Sequence, residues 1–251
     1  MELFKGNITK EQLLSIPKAE RTFFVLLTHL ANILYTLRKL TVFCAAGREE
    51  SNEIVRRAQN AQALLMVRLT AGYLWEGWRL LQANYFGSCL SREYDKVLSN
   101  AAKKCLDDIK RYFSQKKCNV KTIRNKFAFH LLQESPGEIS ELIEQDNTGQ
   151  YSIYFNKHAG LCFYELPDTL INNAIFSLMK GDATFERLED LEKEVREIVK
   201  KYLYFVNEFV LQFGKKYLIK LDYKKIKLPD PPAMDEVVIP YFVSEPKQKQ
   251  T

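Results

Sequence analysis

Proline and glycine are scarce in this chain: eight and ten among 251 residues, with most of the prolines beyond residue 228. The body therefore has few breakers, and long helices are favoured. Cysteine usage is equally uninviting to a disulfide framework. Cys44, Cys89, Cys105, Cys118 and Cys162 are odd in number, and the closest pair, Cys105 and Cys118, is thirteen positions apart. There is no C-x-x-C, so neither a zinc site nor a stapled secreted fold is indicated, and free thiols in a reducing compartment are expected. Only three histidines occur, His29, His130 and His158, and none belongs to an H-E-x-x-H pattern. No metal and no cofactor are expected. The first residues, Met1-Glu2-Leu3-Phe4-Lys5-Gly6, lack a charged region followed by an apolar run and do not read as a signal peptide. The longest apolar stretches are broken by His29, Asn32 and Arg38, short of a membrane span. A cytoplasmic protein with no membrane contact is the expectation.

What is present is helical periodicity. Phe23, Leu26, Leu27, Leu30, Ile33, Leu34, Leu37 and Leu40 recur at three and four, which predicts a helix from Lys18 to about Ala46, ended by Gly47. A second runs from about Glu50 to Phe86, closed by Gly87 and Ser88. A third spans about Ser91 to Gln115, with Ser99 as a possible internal N-cap. Asn119 suits the N-cap of a fourth, over Val120 to Gln133. Ser135-Pro136 with Glu138 opens a short fifth helix through Gln145. Tyr151–Phe155 and Leu161–Tyr164 alternate as two short strands of a hairpin around 156–160. A helix from Pro167 to Met179 and the longest helix, Thr184 to about Leu221, complete the expected elements. Beyond Asp222 the chain reads as an extended, proline-containing tail with a disordered end. The expected fold class is all-α: an up-and-down helical bundle with a small hairpin insertion and a long C-terminal helix. It forms a single domain over 1–222, with a four-helix core at 18–133, the hairpin at 150–164, the long helix at 184–221 and the tail at 223–251.

Charge is concentrated. The net charge is +6, yet the window from Lys103 to Lys126 holds nine cations against Asp107 and Asp108, or +7. Such a patch attracts phosphate backbones, and Lys116, Lys117, Lys121 and Lys126 are the candidate RNA-binding side chains. The alternative for any lysine run is a solvated face that aids solubility.

The patch ends on Ile123-Arg124-Asn125-Lys126-Phe127-Ala128-Phe129-His130, which places an arginine, an amide and a histidine on one helix. These residue types suit RNA cleavage. RNA carries its own nucleophile, the 2′-hydroxyl; a histidine near neutral pKa can exchange protons with it or with the leaving 5′-oxygen. A guanidinium can grip two phosphate oxygens and offset charge in the transition state, and an amide can orient either partner. Six residues of straight α-helix separate Arg124 from His130 by about 9 Å of rise and about 240° of rotation, so one helix alone would not aim both at one phosphate. Two copies of the helix meeting across a two-fold axis would.

R-N-x4-H late in a helical bundle resembles the R-x(4–6)-H motif of the HEPN superfamily, in which a polar residue often follows the arginine, as Asn125 does. The resemblance covers about half of the chain and implies a bundle of four or five helices. It further implies a metal-independent endoribonuclease that leaves a 2′,3′-cyclic phosphate, with Arg124, Asn125 and His130 as catalytic residues. A homodimer, RNA as substrate, a possible antitoxin protein as partner, and a toxin–antitoxin or anti-phage role are part of the same implication. Some members bind without cutting, so a non-catalytic helical interaction or RNA-binding protein is the alternative. Outside the motif, His29 reads as a core histidine, and His158 as a solvated turn residue. Tyr73, Trp75, Trp78, Tyr85 and Phe86 read as core or interface, with Glu76 a possible tuner of His130. Tyr202, Phe205, Phe209 and Phe213 read as core or dimer interface, and the mixed charges from Glu186 to Lys201 as an exposed face carrying i,i+4 pairs.

Overall fold

The computed structural model describes residues 1–45, 52–128, 141, 143–144, 150–157, 161–177, 184–218 and 223–243. Eight α-helices are defined among them: α1 (Lys10–Ser15), α2 (Lys18–Ala45), α3 (Glu53–Asn84), α4 (Cys89–Tyr94), α5 (Asn100–Phe113), α6 (Asn119–Ile123), α7 (Glu165–Ser177) and α8 (Thr184–Phe213). Four short strands accompany them: β1 (Glu2–Gly6), β2 (Ile153–Tyr154), β3 (Phe163–Tyr164) and β4 (Tyr223–Lys227). The chain is thus mostly helical, as its periodicity predicts. It divides into two compact units, one of Met1–Thr36, Tyr73–Val120 and Glu194–Pro232, the other of Leu37–Gly72, Lys121–Lys193 and Ala233–Thr251. The long helices α2, α3 and α8 each give one part to each unit.

Unit 1 is a helical bundle whose core is strongly aromatic. Phe23, Leu27 and Leu34 of α2, Leu74 and Leu81 of α3, Ile109 of α5, and Tyr202, Phe205, Phe209 and Phe213 of α8 are all buried. Phe209 lies edge-on to Phe23 at 5.1 Å and 4.4 Å from the ring of Tyr94, while Phe205 meets Tyr85 at 5.3 Å. Offset and edge-to-face pairs of this kind add to simple area burial. The stripe on α8 is therefore core. So are Trp78 of α3 and Tyr85 just after it; Trp78 stacks on Phe113 at 5.2 Å.

The sequence places the fourth bundle helix at 120–133. In unit 1 the long helix beside α2, α3 and α5 is the second half of α8; of the expected helix at 120–133, residues 129–133 lie outside the described residues. The second half of α8 buries an aromatic ring at every turn, Tyr202, Phe205, Phe209 and Phe213, while α6 and the turn after it bury Val120, Ile123 and Phe127 among the described residues. Gly77 marks the close approach of α3 to its neighbours: a Cβ there would come within 2.9 Å of Leu30 Cδ2 and of the Tyr202 ring. The Tyr202 hydroxyl donates to the Gly77 carbonyl at 3.3 Å.

Several boundaries differ from expectation for identifiable reasons. The third helical stretch is split at Ser99, the internal N-cap the sequence offers, which accepts from Ala102 N at 3.2 Å. Gly87 takes a positive φ of 72°, a conformation only glycine adopts readily, and Ser88 then caps α4 through Leu90 N. Among the described residues the longest α-helix is α3, with 32 residues against 30 in α8; α8 gives way to a π-helical turn over Gly214–Leu218. His29 is exposed rather than a core residue. The expected short helix at 136–145 lies mostly outside the described residues, of which Glu141, Ile143 and Glu144 are helical.

In unit 2 the predicted hairpin is present. β2 pairs antiparallel with β3, Ile153 opposite Tyr164 and Tyr154 opposite Phe163. The inner pair, Tyr154 and Phe163, stacks at 5.8 Å with rings 3° from parallel. Phe163 is buried with Ala58 and Ala61, and Tyr154, Tyr241 and Phe242 pack on them. The tail is thus not uniformly extended: its aromatic pair docks, Tyr241 meeting Phe163 at 5.2 Å, because the two rings that follow Pro240 have apolar surface to bury. Leu64, Phe176 and Leu188 form a second cluster in this unit.

Candidate active site

The motif segment begins on α6, and its first residue is anchored. Asn119 does not act as an N-cap. It is already helical, and its side-chain amide donates to Glu194 Oε2 at 2.8 Å. The same carboxylate accepts a short hydrogen bond from the Tyr112 hydroxyl, whose oxygen in turn faces Val120 N at 3.4 Å. Burial, and then the Glu194 charge, hold the Tyr112 phenol well above the ordinary tyrosine range, so it stays a donor at any physiological pH. Glu194 belongs to the charged stretch that the sequence assigns to an open face. Glu197 and Lys200 do form an exposed pair there at 2.7 Å, but Glu194 is turned inward. Alternating charge hides a single inward carboxylate, so nothing in the sequence marks it.

After Ile123 the backbone changes hydrogen-bond register. Arg124–Ala128 is a π-helical turn where an α-helix is predicted. Such turns are rare, and they frequently occur at functional sites. The π register carries more residues per turn than the α register, so the ~100° per residue of an α-helix does not apply across Arg124–Ala128. Ile123 and Phe127 are buried on one side. Arg124 is half-buried, and Asn125 and Lys126 are exposed. The Arg124 guanidinium donates from Nη1 to Asn125 Oδ1 at 3.3 Å, so two of the three predicted catalytic side chains meet. His130 lies outside the described residues, as does His158. The candidate phosphate-binding lysines Lys116, Lys117, Lys121 and Lys126 are exposed. No group of His, Cys, Asp and Glu able to hold a metal ion occurs among the described residues, and no described helix is long and apolar enough to cross a membrane.

A second polar cluster, unanticipated from the sequence, lies in unit 2. Arg57, Leu64 and Arg68 share one face of α3 by their spacing, as do Glu165, Asp168, Asn172 and Phe176 on α7. Arg57 donates to Glu165 at 2.9 Å. Arg68 is 7% exposed, and its one ion pair among the described residues is loose, 3.8 Å to Asp168. Its Nε and Nη1, Glu165 Oε2 and Asn172 Oδ1 are buried without hydrogen-bond partners among those residues. Burial lowers the Arg68 pKa and raises that of Asp168, each opposed by the other's charge. A buried pair broken on one side costs about 3–5 kcal/mol, whereas replacing both members with apolar groups is often neutral. Asp168→Ala should therefore lower unfolding stability by about 3 kcal/mol in urea titration, and Arg68→Met added to it should restore most of the loss. Equal destabilisation by both chains would count against an uncompensated charge.

No protein-family model, no curated protein and no solved structure matches the chain. The class of the protein rests on its own residues.

Proposed function

We propose that the chain is a metal-independent endoribonuclease of the HEPN kind, acting through Arg124, Asn125 and His130. The observation that carries this reading is the meeting of Arg124 with Asn125 at the opening of a solvent-accessible π-turn, six residues before the only histidine of the motif. The exposed Lys116, Lys117, Lys121 and Lys126 support it, since such cations draw in a phosphate backbone. In this reading the 2′-hydroxyl attacks the adjacent phosphorus and the P–O5′ bond breaks; the histidine of the motif takes the 2′ proton and supplies one to the departing 5′-oxygen, and Arg124 holds the phosphate oxygens while charge develops. Asn125 holds the guanidinium in place through its carbonyl and leaves its amide N–H groups for the phosphate. The site is completed by a second copy of the chain in a homodimer, and a separate protein antitoxin is its natural restraint in a defence or toxin–antitoxin setting.

The test is incubation of the purified chain with a defined RNA in excess chelator. Cutting should persist, and a 2′-deoxy residue at the scissile position should block it. Dependence on Mg²⁺, or equal cutting of the deoxy strand, would reject the mechanism. Mixing Arg124→Ala with His130→Ala chains tests the dimer: partial recovery of activity is expected when one intact Arg and one intact His share a site, and none if each chain works alone. A non-cleaving RNA-binding protein is the second reading, favoured if RNA is retained intact by wild-type protein.

A further inference from the structure

Two elements lie outside the sequence expectations entirely, β1 and β4. They pair antiparallel with Glu2 opposite Lys227, Leu3 opposite Ile226, Phe4 opposite Lys225, Lys5 opposite Lys224 and Gly6 opposite Tyr223. Every described side chain of the two strands is exposed. The ribbon belongs to unit 1, which holds twenty-two Lys and Arg against thirteen Asp and Glu, a net +9. Unit 2 holds fifteen against eighteen, or −3, the two together giving the +6 of the chain.

The register makes the ribbon more than a charged edge. Residues directly opposite share a face with Cβ atoms about 5 Å apart, and like charges there destabilise the pairing. Lys5 and Lys224 are such a pair. Lys225 is answered by Glu2 at 2.6 Å, but neither Lys5 nor Lys224 has an ion-pair partner among the described residues. Lysines do guard strand edges against pairing with other chains. Lys225 and Lys227 already serve that end, and edge protection does not call for two cations face to face. An anion between them turns the repulsion into a clamp.

We propose that the β1–β4 ribbon is a phosphate-binding surface for single-stranded RNA, centred on Lys5 and Lys224. The choice of RNA over DNA rests on the ribonuclease reading above; the cation pair itself does not. A two-stranded ribbon fits the major groove of B-DNA, but the major groove of A-form RNA is too deep and narrow for side chains to read. On RNA the ribbon therefore lies against an unpaired strand.

The experiment uses the full chain carrying His130→Ala, so that RNA survives, and a labelled oligouridylate. Its affinity is followed by fluorescence anisotropy from about 50 to 200 mM salt, the range over which phosphate contacts are lost. Lys5→Gln with Lys224→Gln should weaken binding and lower the slope of log affinity against log salt by about 0.7, the value for the one phosphate the pair grips on a single strand. Lys5→Arg with Lys224→Arg, which keeps both charges, should leave the slope in place. Circular dichroism should be unaltered in all three, since the ribbon contributes no described buried side chain. An unchanged slope in the double Gln chain overturns the proposal. So does a change seen only with duplex, only with anionic phosphatidylserine vesicles, or only as self-association. Should wild-type protein bind with the expected slope and leave RNA uncut, the ribbon inference stands and the ribonuclease reading falls. Should it cut RNA while the double Gln chain keeps an unaltered slope, the ribonuclease reading stands and the ribbon inference falls.

Discussion

RNA cleavage by a His130→Ala chain is expected to fall by about 10²–10⁴-fold, the usual contribution of a positioned general acid or base. Arg124→Ala should cost about 10²–10³-fold, because it removes donors aimed at charge that develops only in the transition state. The two losses should differ in kind. The histidine variant should bind RNA as the parent does, with the defect confined to kcat. Arg124→Lys should recover only part of the activity, since an ammonium keeps the charge but not the planar fork that grips two oxygens. Asn125→Asp makes a sharper probe. It keeps an acceptor for the 3.3 Å bond from Arg124 but puts a negative charge where a phosphate must sit, so binding as well as turnover should weaken. Single-turnover kinetics on one fluorescent substrate separates these cases. Full activity in either alanine variant would remove the motif from the mechanism.

The second large effect concerns the bundle of unit 1. Phe209 is fully buried and meets rings from α2, from the turn after α3 and from α4, at 5.1 Å to Phe23, 6.4 Å to Tyr85 and 4.4 Å to Tyr94. Phe209→Ala should lower unfolding stability by about 3–5 kcal/mol, the range for deleting a buried phenylalanine and leaving its cavity. Gly77→Ala should cost about 1–3 kcal/mol by overpacking, because its new methyl would press on Leu30 and Tyr202. Denaturant titration measures both. Were the C-terminal helix a peripheral addition to a self-sufficient 18–133 core, Phe209→Ala would be nearly neutral and the partners of Phe209 would not matter.

The long helices were readable because their signal is redundant: α2 and α8 each repeat an apolar residue every three or four positions over about 28–30 residues. The short hairpin was readable from alternation, since its inner pair, Tyr154 and Phe163, must differ from Ile153 and Tyr164 on the outer face. Partnership was not readable. Periodicity says that a helix has an apolar face, and says nothing about which other face covers it, so the role of α8 in unit 1 had to wait for its contacts. The β1–β4 ribbon escaped notice for a related reason. Its strands are more than two hundred residues apart and are exposed on both faces, so neither alternation nor a local turn announces the pairing. Of the candidate site, the residue types and their order were legible. The π-turn was not, because it depends on how Ile123 and Phe127 find burial, and no local composition encodes that. Arg68 likewise reads as one more surface arginine until α7 covers it.

The most direct measurement is end-group analysis of a single cleavage product by mass spectrometry, made on RNA treated with the purified wild-type chain in chelator and, in parallel, with His130→Ala. Attack by the 2′-hydroxyl predicts a 2′,3′-cyclic phosphate on one fragment and a 5′-hydroxyl on the other, with neither formed by the variant. A 5′-phosphate end, or identical products from both chains, would contradict the assignment of Arg124, Asn125 and His130 as a ribonuclease site.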